Sequence, residues 1–290
     1  MDMKKNLLVC RSGGRTSEFM YKYILENHAG KYNIVGIFAN TGWEHHKTLE
    51  FVHNNDIENE RLFGAKPVWV EAVVHEGRVS STHKLVTYET ASRSMEPFEN
   101  VVKKYGLPNS AYPHCTRELK EQPIHHYIKS IEWVKGDYFT ALGIRSDEPR
   151  RLKYNKTPQN KVYPLVDWHP DKPDKLDILD WWEDRDFDLG IPEHLGNCVG
   201  CFRKSDRKAM KAYRDAPEQF VNTLEKDYGH VGSNKIKGVH VDEPRTMYRN
   251  YKTSESIIQM FNEVDHQWLN KDDPDYMNEG CASSCEPFAN

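Results

Sequence analysis

The sequence predicts an α/β protein, with a parallel β-sheet covered by helices on both faces and a mainly helical C-terminal region. Three observations lead there. Short apolar runs recur along the first half of the chain, charged amphipathic segments fill the gaps between them, and the alternation stops near Tyr163, where Trp-, Asp- and Pro-rich text takes over. Strands buried on both faces read as unbroken apolar runs, and strands that alternate with helices assemble in parallel.

The run Asn6–Cys10 predicts the opening strand, with Cys10 packed in the core. Ser12-Gly13-Gly14-Arg15-Thr16-Ser17 follows as a turn and Glu18–Asn27 as the first helix. Asn33–Ala39 predicts the second strand, Thr48–Asp56 a helix, and Pro67–Val74 a third strand. Phe98–Tyr105 and Thr116–Ile131 have helical spacing, and Asp137–Ile144 is the fourth apolar run. Beyond the change of pattern, Lys175–Asp184 predicts a helix, with Pro173, just before it, suited to a first helical turn. We therefore expect an α/β core over 1–165 and a helical region over 166–290, whose last stretch, Asp272–Asn290, reads as a polar tail.

A chain of 290 residues has ample surface to bury, and 38% hydrophobic with 29% charged residues describes a globular protein rather than a disordered one. The net charge of −4 gives no overall pull towards nucleic acid, so any such contact must come from a local basic cluster. No apolar run approaches the length of a membrane span, and the N-terminal run is too short for a signal-peptide core. A cytoplasmic protein without membrane contact is the expectation. Six cysteines in such a chain point to metal ligands or reactive thiols rather than a disulfide framework.

In a parallel sheet, ligands bind beyond the carboxyl ends of the strands, where a glycine turn lets the backbone approach and the next helix aims its N–H groups at an anion. Ser12-Gly13-Gly14 stands at such a junction, and Ser12, Thr16 and Ser17 add hydroxyl groups. The text is neither a dinucleotide fingerprint nor a Walker-type loop. On its own it also reads as an ordinary strand-to-helix turn with a capping serine.

Further elements carry a resemblance. SGGRTS resembles the SGGxxS loop of the PP-loop ATP pyrophosphatase superfamily. Asn40-Thr41-Gly42-Trp43-Glu44 is similar to the NTG-x-E segment of its phosphoadenylyl-sulfate (PAPS) reductase branch. Cys115-Thr116-Arg117-Glu118-Leu119-Lys120, ending at Pro123-Ile124, resembles that branch's C-T-R-x-L-K-x-x-P element, and Gly143-Ile144-Arg145-Ser146-Asp147-Glu148-Pro149-Arg150-Arg151 its G-x-R-x-x-E-x-x-R loop. The resemblance implies a Rossmann-like core of the adenine-nucleotide α-hydrolase type and an enzyme of sulfur chemistry, a transferase or an oxidoreductase. It implies that Ser12, Gly13, Gly14, Arg15, Thr16 and Ser17 hold the phosphates of ATP or an adenylyl sulfate with Mg²⁺. Thr41, Gly42 and Gly143 would approach the nucleotide, and Arg145 and Arg150 would neutralise its charge, with Ser17 and Arg145 taking part in catalysis.

Asn197-Cys198-Val199-Gly200-Cys201 is a CxxC turn, which by itself reads as half a zinc site, part of an iron–sulfur cluster or a redox pair. The resemblance links it to Cys115, because adenylyl-sulfate reductases hold a four-iron cluster with a Cys-Cys pair and a CxxC further along; here 82 residues lie between Cys115 and Cys198. His114 stands where that family has its first cysteine. Cys115, Cys198 and Cys201 are thus candidate ligands of an iron–sulfur cluster or of zinc, with a fourth position filled by His114 or a tail cysteine, or open. Cys281 in the tail is the nearest positional equivalent of the reductases' nucleophilic cysteine, but it sits in Glu-Gly-Cys rather than Glu-Cys-Gly and lacks the family's following His.

Two chemistries compete: splitting of ATP to adenylate an acceptor, such as a nucleic acid, onto which sulfur is transferred; and thiol-dependent reduction of an adenylyl sulfate to sulfite. A non-catalytic nucleotide-binding interaction protein is the alternative from another class. An adenine nucleotide, a sulfur donor or reductant and a second copy of the chain are the expected partners. Elsewhere, His45-His46 and His125-His126 read as surface or satisfied histidines, since neighbours on a helix point apart. Trp168, Trp181 and Trp182 read as core anchors. Arg203-Lys204-Ser205-Asp206-Arg207-Lys208 would touch a nucleic-acid backbone or balance the charge of the site.

Overall fold

The computed structural model describes residues 4–152, 160–231, 243–271 and 287–288. Its centre is a six-stranded sheet of β1 (Lys5–Arg11), β2 (Tyr32–Asn40), β3 (Val68–Val73), β4 (Thr82–Val86), β5 (Tyr138–Ala141) and β6 (Lys161–Val162), in the order β4-β3-β2-β1-β5-β6. All neighbours pair in parallel except β3 and β4, which run antiparallel. The α/β expectation holds, and β4 and β6 are additions to it.

Helices α1 (Arg15–His28), α2 (His46–Phe63) and α3 (Glu96–Tyr105) follow β1, β2 and β4. A short α4 (His114–Thr116) runs through a π-helical turn (Arg117–Glu121) into α5 (Gln122–Ser130). The proline at 123 explains the wide turn. Its ring would clash with the carbonyl of Leu119 in a regular α-helix, and the Gln122 N–H reaches back to the Arg117 carbonyl instead. After β6 come α6 (Pro164–Asp167), α7 (Lys175–Glu183), α8 (Asp206–Asp215), α9 (Asn222–Tyr228), α10 (Ser254–Glu263) and α11 (His266–Asn270).

Local chemistry sets several ends. Gly64, in the left-handed region at φ 66°, stops α2 by returning its N–H to the Asn59 and Glu60 carbonyls. Asp174 and Asp177 form a reciprocal capping box at the start of α7, as Thr253 and Ser256 do for α10.

Alternation along β1 distributes the core between the two faces. Leu7 and Val9 join Met20, Ile24, Phe51, Ile178 and Trp182 on the side of α1, α2 and α7, whereas Leu8 and Cys10 meet Ile124 and Ile128 of α5 on the other. Cys10 is 1% exposed, in keeping with its expected packing role. Trp182 is buried and Trp168 and Trp181 pack against the same cluster, so the helical region shares the core of the sheet. A further cluster joins Trp43, Phe98 and Leu119 to Phe202, Met210 and Ile257.

The chain leaves β1 towards β2 and β3 on one side of the sheet and later fills β5 and β6 on the other. The carboxyl ends of β1 and β5 therefore flank a topological switch point, where crevices open in sheets of this kind.

Candidate functional site

Three loops converge on that edge. The first leaves β1 at Ser12. Gly13 has φ +78°, and a Cβ there would lie 2.8 Å from the Thr48 methyl carbon, so only glycine fits. Gly14 caps α1 without any side-chain hydrogen bond, and the first-turn amides of Arg15 and Thr16 are left for another partner. Ser17 is buried. Its hydroxyl accepts from the Ser12 N–H at 3.1 Å and donates to the Gly14 carbonyl at 2.9 Å, which shapes the turn from within. Ser12 donates its own hydroxyl to the Ser17 hydroxyl oxygen at 3.1 Å. Arg15 turns aside to pair with Asp188, its Nε 2.6 Å from Oδ1.

The turn rests on a buried ionic cluster that the sequence reading did not single out. Arg11, the last residue of β1, holds Glu18 of α1 through Nε and Nη2 at 3.0 and 2.6 Å, and Asp56 of α2 through Nη1 at 2.6 Å. The side chains of Arg11 and Glu18 are fully buried. Burial raises the Glu18 pKa, opposed by the charge and hydrogen bonds of Arg11.

The second loop leaves β5. Gly143 is buried, and the Ile144 N–H donates across it to the Leu142 carbonyl at 3.0 Å. Arg145 extends Nη1 to within 3.4 Å of the Thr16 hydroxyl, so the two sequence elements that the resemblance linked do meet. Asp147 grips the Arg145 guanidinium through two hydrogen bonds, of 2.8 and 3.0 Å, and Glu148 accepts the Arg145 N–H at 3.1 Å. Burial alone would lower the Arg145 pKa, but Asp147 and Glu148 raise it above the ordinary value. Glu148 also pairs with Arg151, and Arg150 is exposed on the adjacent turn.

The third loop leaves β2. Asn40 donates to the buried Glu71 at 2.6 Å and accepts from the Gly42 N–H at 3.2 Å, fixing the turn. Thr41 is buried; its hydroxyl donates to Glu44 at 2.8 Å and lies 3.4 Å from the Cys198 sulfur. The CxxC turn is stitched to this loop. Glu44 and Cys198 form an antiparallel bridge, and the Val199 N–H donates to the Trp43 carbonyl at 3.0 Å. Gly200 permits the approach, since a Cβ there would fall 2.4 Å from the Trp43 ring.

Cys115, Cys198 and Cys201 line one small cavity of about 20 Å³, together with Thr41, Trp43, Phe98, Lys120 and Met247. The wall is mostly sulfur and apolar carbon, with Thr41, Thr116 and Lys120 as its polar residues, and a cationic chain suits thiolate ligands or an anionic centre. Among the described residues, no three His, Cys, Asp or Glu side chains are closed into a metal-binding group. The cysteines therefore share a wall without the geometry of a formed centre. By type, three sulfur donors suit iron–sulfur or zinc. Lys120 stands in the quoted C-T-R-E-L-K text and Trp43 in the quoted N-T-G-W-E text, which were the available signals for them; Met247 on the wall had no such signal. Cys281 lies outside the described residues.

His114 is not on the cavity wall: its Nε2 donates to the Gly106 carbonyl at 3.0 Å. Burial, aided by Arg245 and Arg117, lowers its pKa to about 4 against the opposing Gly106 bond. The unfolded chain binds this proton near pH 6.5, so His114 withdraws stability as pH falls from 6.5 towards 4 and is indifferent above. Comparing denaturant unfolding at pH 7 and 4.5, we expect wild type to lose about 2 kcal/mol more than His114→Gln, which keeps a donor without the titration. Equal losses would refute the assignment.

The histidine pairs at 45–46 and 125–126 match their expected roles as surface or satisfied side chains, His46 being exposed. His45 caps α2, and His126 faces His83 at 2.6 Å while His125 contacts Tyr138 and Phe288. In the basic cluster, Lys204 donates to the Gly196 carbonyl, Arg207 to the Trp268 carbonyl, and Lys208 pairs with Glu193, so these charges tie the helical region together. Among the described residues, no helix is long and apolar enough to cross a membrane.

No protein-family model matches the chain, and no solved structure does. It is 32% identical over 292 residues to the uncharacterized nin region protein ORF290 of Escherichia phage lambda, an alignment covering 97% of this chain and 94% of that protein. A likeness that runs nearly end to end on both sides shows that the chain belongs to the family of this phage protein.

Proposed function

We propose that the protein is a PP-loop enzyme of the PAPS reductase-like type, binding ATP or an adenylyl nucleotide, splitting it at the α-phosphate and coupling this to sulfur transfer onto an adenylated acceptor. The observation that carries the reading is the contact between the loop after β2 and the CxxC turn: Thr41, at the sheet edge that also bears the Ser12–Ser17 turn, has its hydroxyl 3.4 Å from Cys198, on the wall shared with Cys115 and Cys201. Because β1 and β2 are parallel neighbours, this cavity and the glycine turn lie along one edge of the sheet, which supports the reading. The uncapped N-terminus of α1, the Thr16 hydroxyl and the Arg145 guanidinium supply donors for phosphate oxygens. An acceptor oxygen would attack the α-phosphorus, pyrophosphate would leave, and a sulfide-level donor would then attack the activated acceptor carbon and expel AMP.

Cys115, Cys198 and Cys201 are the residues that would hold an iron–sulfur cluster or, with another donor set, zinc. A cluster would supply a sulfur-binding or electrostatic centre. The chain's own contribution is to hold the phosphates, position Arg145 against developing charge and keep the thiols together in an apolar wall.

The test uses the full chain purified without oxygen. Calorimetry is expected to show binding of ATP or an adenylyl sulfate with preference over GTP, pyrophosphate is expected from ATP in the presence of acceptor, and metal analysis is expected to find iron and sulfide. Absence of any adenine-nucleotide binding overturns the proposal, and sulfite from an adenylyl sulfate plus a thiol reductant replaces it with reductase chemistry.

A further inference from the structure

A hairpin beside the CxxC turn holds an aromatic side chain in an unfavourable way. Tyr248 and Lys252 form an antiparallel bridge, and the Lys252 N–H donates to the Arg249 carbonyl at 3.4 Å, which closes a two-residue turn on Asn250 and Tyr251. Both have positive φ, 56° and 59°. Turns of this hand favour Asn followed by Gly, so tyrosine at the second position is strained. Folding does not repay the strain through burial, because Tyr251 is 91% exposed. Outliers of this kind concentrate at binding sites.

The hairpin is fastened to the candidate site. The Tyr248 hydroxyl donates to the Gly200 carbonyl inside the CxxC turn at 3.2 Å, and the Arg249 guanidinium donates to the Arg203 carbonyl just after it. Lys252 pairs with Asp206 at 2.8 Å, which matches the acidic charge at the foot of the hairpin. Beyond Asp206, Arg207 lies over the ring of Trp268, itself 44% exposed, at 4.9 Å. Residues 203–207 thus touch the foot of the hairpin that carries Tyr251, through Arg249 and Lys252, and the exposed Trp268 ring, through Arg207, whose Nη2 is committed to the Trp268 carbonyl. Arg249 is exposed and Arg203 half-buried, with its guanidinium over the Phe202 ring at 5.4 Å. Exposed rings on a cationic track are what unpaired bases on a phosphate backbone recognise.

We propose that this surface binds single-stranded nucleic acid, with Tyr251 as a stacking platform for a base and Arg203 and Arg249 meeting the backbone. Resting on the function proposed above, this makes the acceptor an unpaired nucleotide delivered to the rim of the cysteine cavity.

Fluorescence anisotropy of the full chain with labelled single-stranded RNA and DNA 12-mers, and with a duplex of the same sequence, tests it. Single strands are expected to bind more tightly than the duplex, and comparison of RNA with DNA identifies the source. Tyr251→Ala and Tyr251→Gly are each expected to weaken binding roughly fivefold to a hundredfold, with Tyr251→Phe near wild type. Tyr251→Gly is also expected to raise the melting temperature, because glycine accepts the left-handed backbone. Binding that is absent, or unchanged in Tyr251→Gly, overturns the proposal, as does a preference for the duplex. ATP calorimetry on the wild-type chain separates the two readings: absence of single-strand binding with ATP binding intact refutes this surface alone, and single-strand binding without ATP binding refutes the nucleotide reading alone.

Discussion

Arg11→Met is expected to cost the fold about 3–5 kcal/mol, measured as a fall in denaturant midpoint at pH 7. The substitution preserves length and apolar packing but strands the Glu18 carboxylate, fully buried with its partner removed. Glu18→Leu is expected to cost a similar amount, since it leaves the guanidinium with Asp56 as its remaining partner at 2.6 Å. The double variant is the sharper measurement. Removing both charges removes the uncompensated one, so Arg11→Met with Glu18→Leu is expected to be less destabilised than the sum of the single changes by well over 1 kcal/mol. Strict additivity would show that the two groups do not act as a pair. Because Arg11 immediately precedes Ser12, each single variant is also expected to loosen the turn and weaken nucleotide affinity beyond its effect on stability.

Arg145→Ala is expected to lower the rate of pyrophosphate release by roughly a hundredfold to a thousandfold, the usual effect of removing a preorganised donor from developing charge. The guanidinium is held by Asp147 and reaches the Thr16 hydroxyl, so it is oriented before any ligand arrives. Arg145→Lys keeps the charge but loses the planar fork and the grip of Asp147, and is expected to fall between wild type and alanine. Single-turnover rates at saturating ATP measure the effect, with the melting temperature as control. A rate for Arg145→Ala equal to wild type would remove Arg145 from the catalytic role proposed for it.

The readable parts of the fold were those where burial acts on both faces. The strands at Lys5–Arg11, Tyr32–Asn40, Val68–Val73 and Tyr138–Ala141 are continuous apolar text because helices cover them on each side. Thr82–Val86 was missed because it is an edge strand with Lys84 and Leu85 exposed, and Lys161–Val162 because two residues carry no period. Helix α2 continues seven residues past the expected Asp56 to Phe63, through Glu58-Asn59-Glu60-Arg61, where polar residues hide the periodicity and the Gly64 cap supplies the real stop. The convergence of the Ser12–Ser17 turn with Arg145, and of Cys115 with Cys198 and Cys201, followed from the order of motifs and not from spacing. Arg11 and Glu18 were illegible for a physical reason. A buried ion pair looks, in sequence, like two ordinary surface charges, and only the sheet decides which arginine at a strand end is sealed in.

The wide turn at Arg117–Glu121 has a geometric consequence. Upstream of it, Cys115 looks towards the sulfur wall; downstream, Ile124 and Ile128 are committed to the underside of the sheet. A regular α-helix advances 100° per residue and fixes the angular offset between such groups, whereas one wider turn resets it. The rod is in effect two rods on a shared axis with a set phase between them, which lets Cys115 face the cavity while Ile124 and Ile128 face the sheet, an offset that Glu118, buried and bonded to Ser81, holds in place.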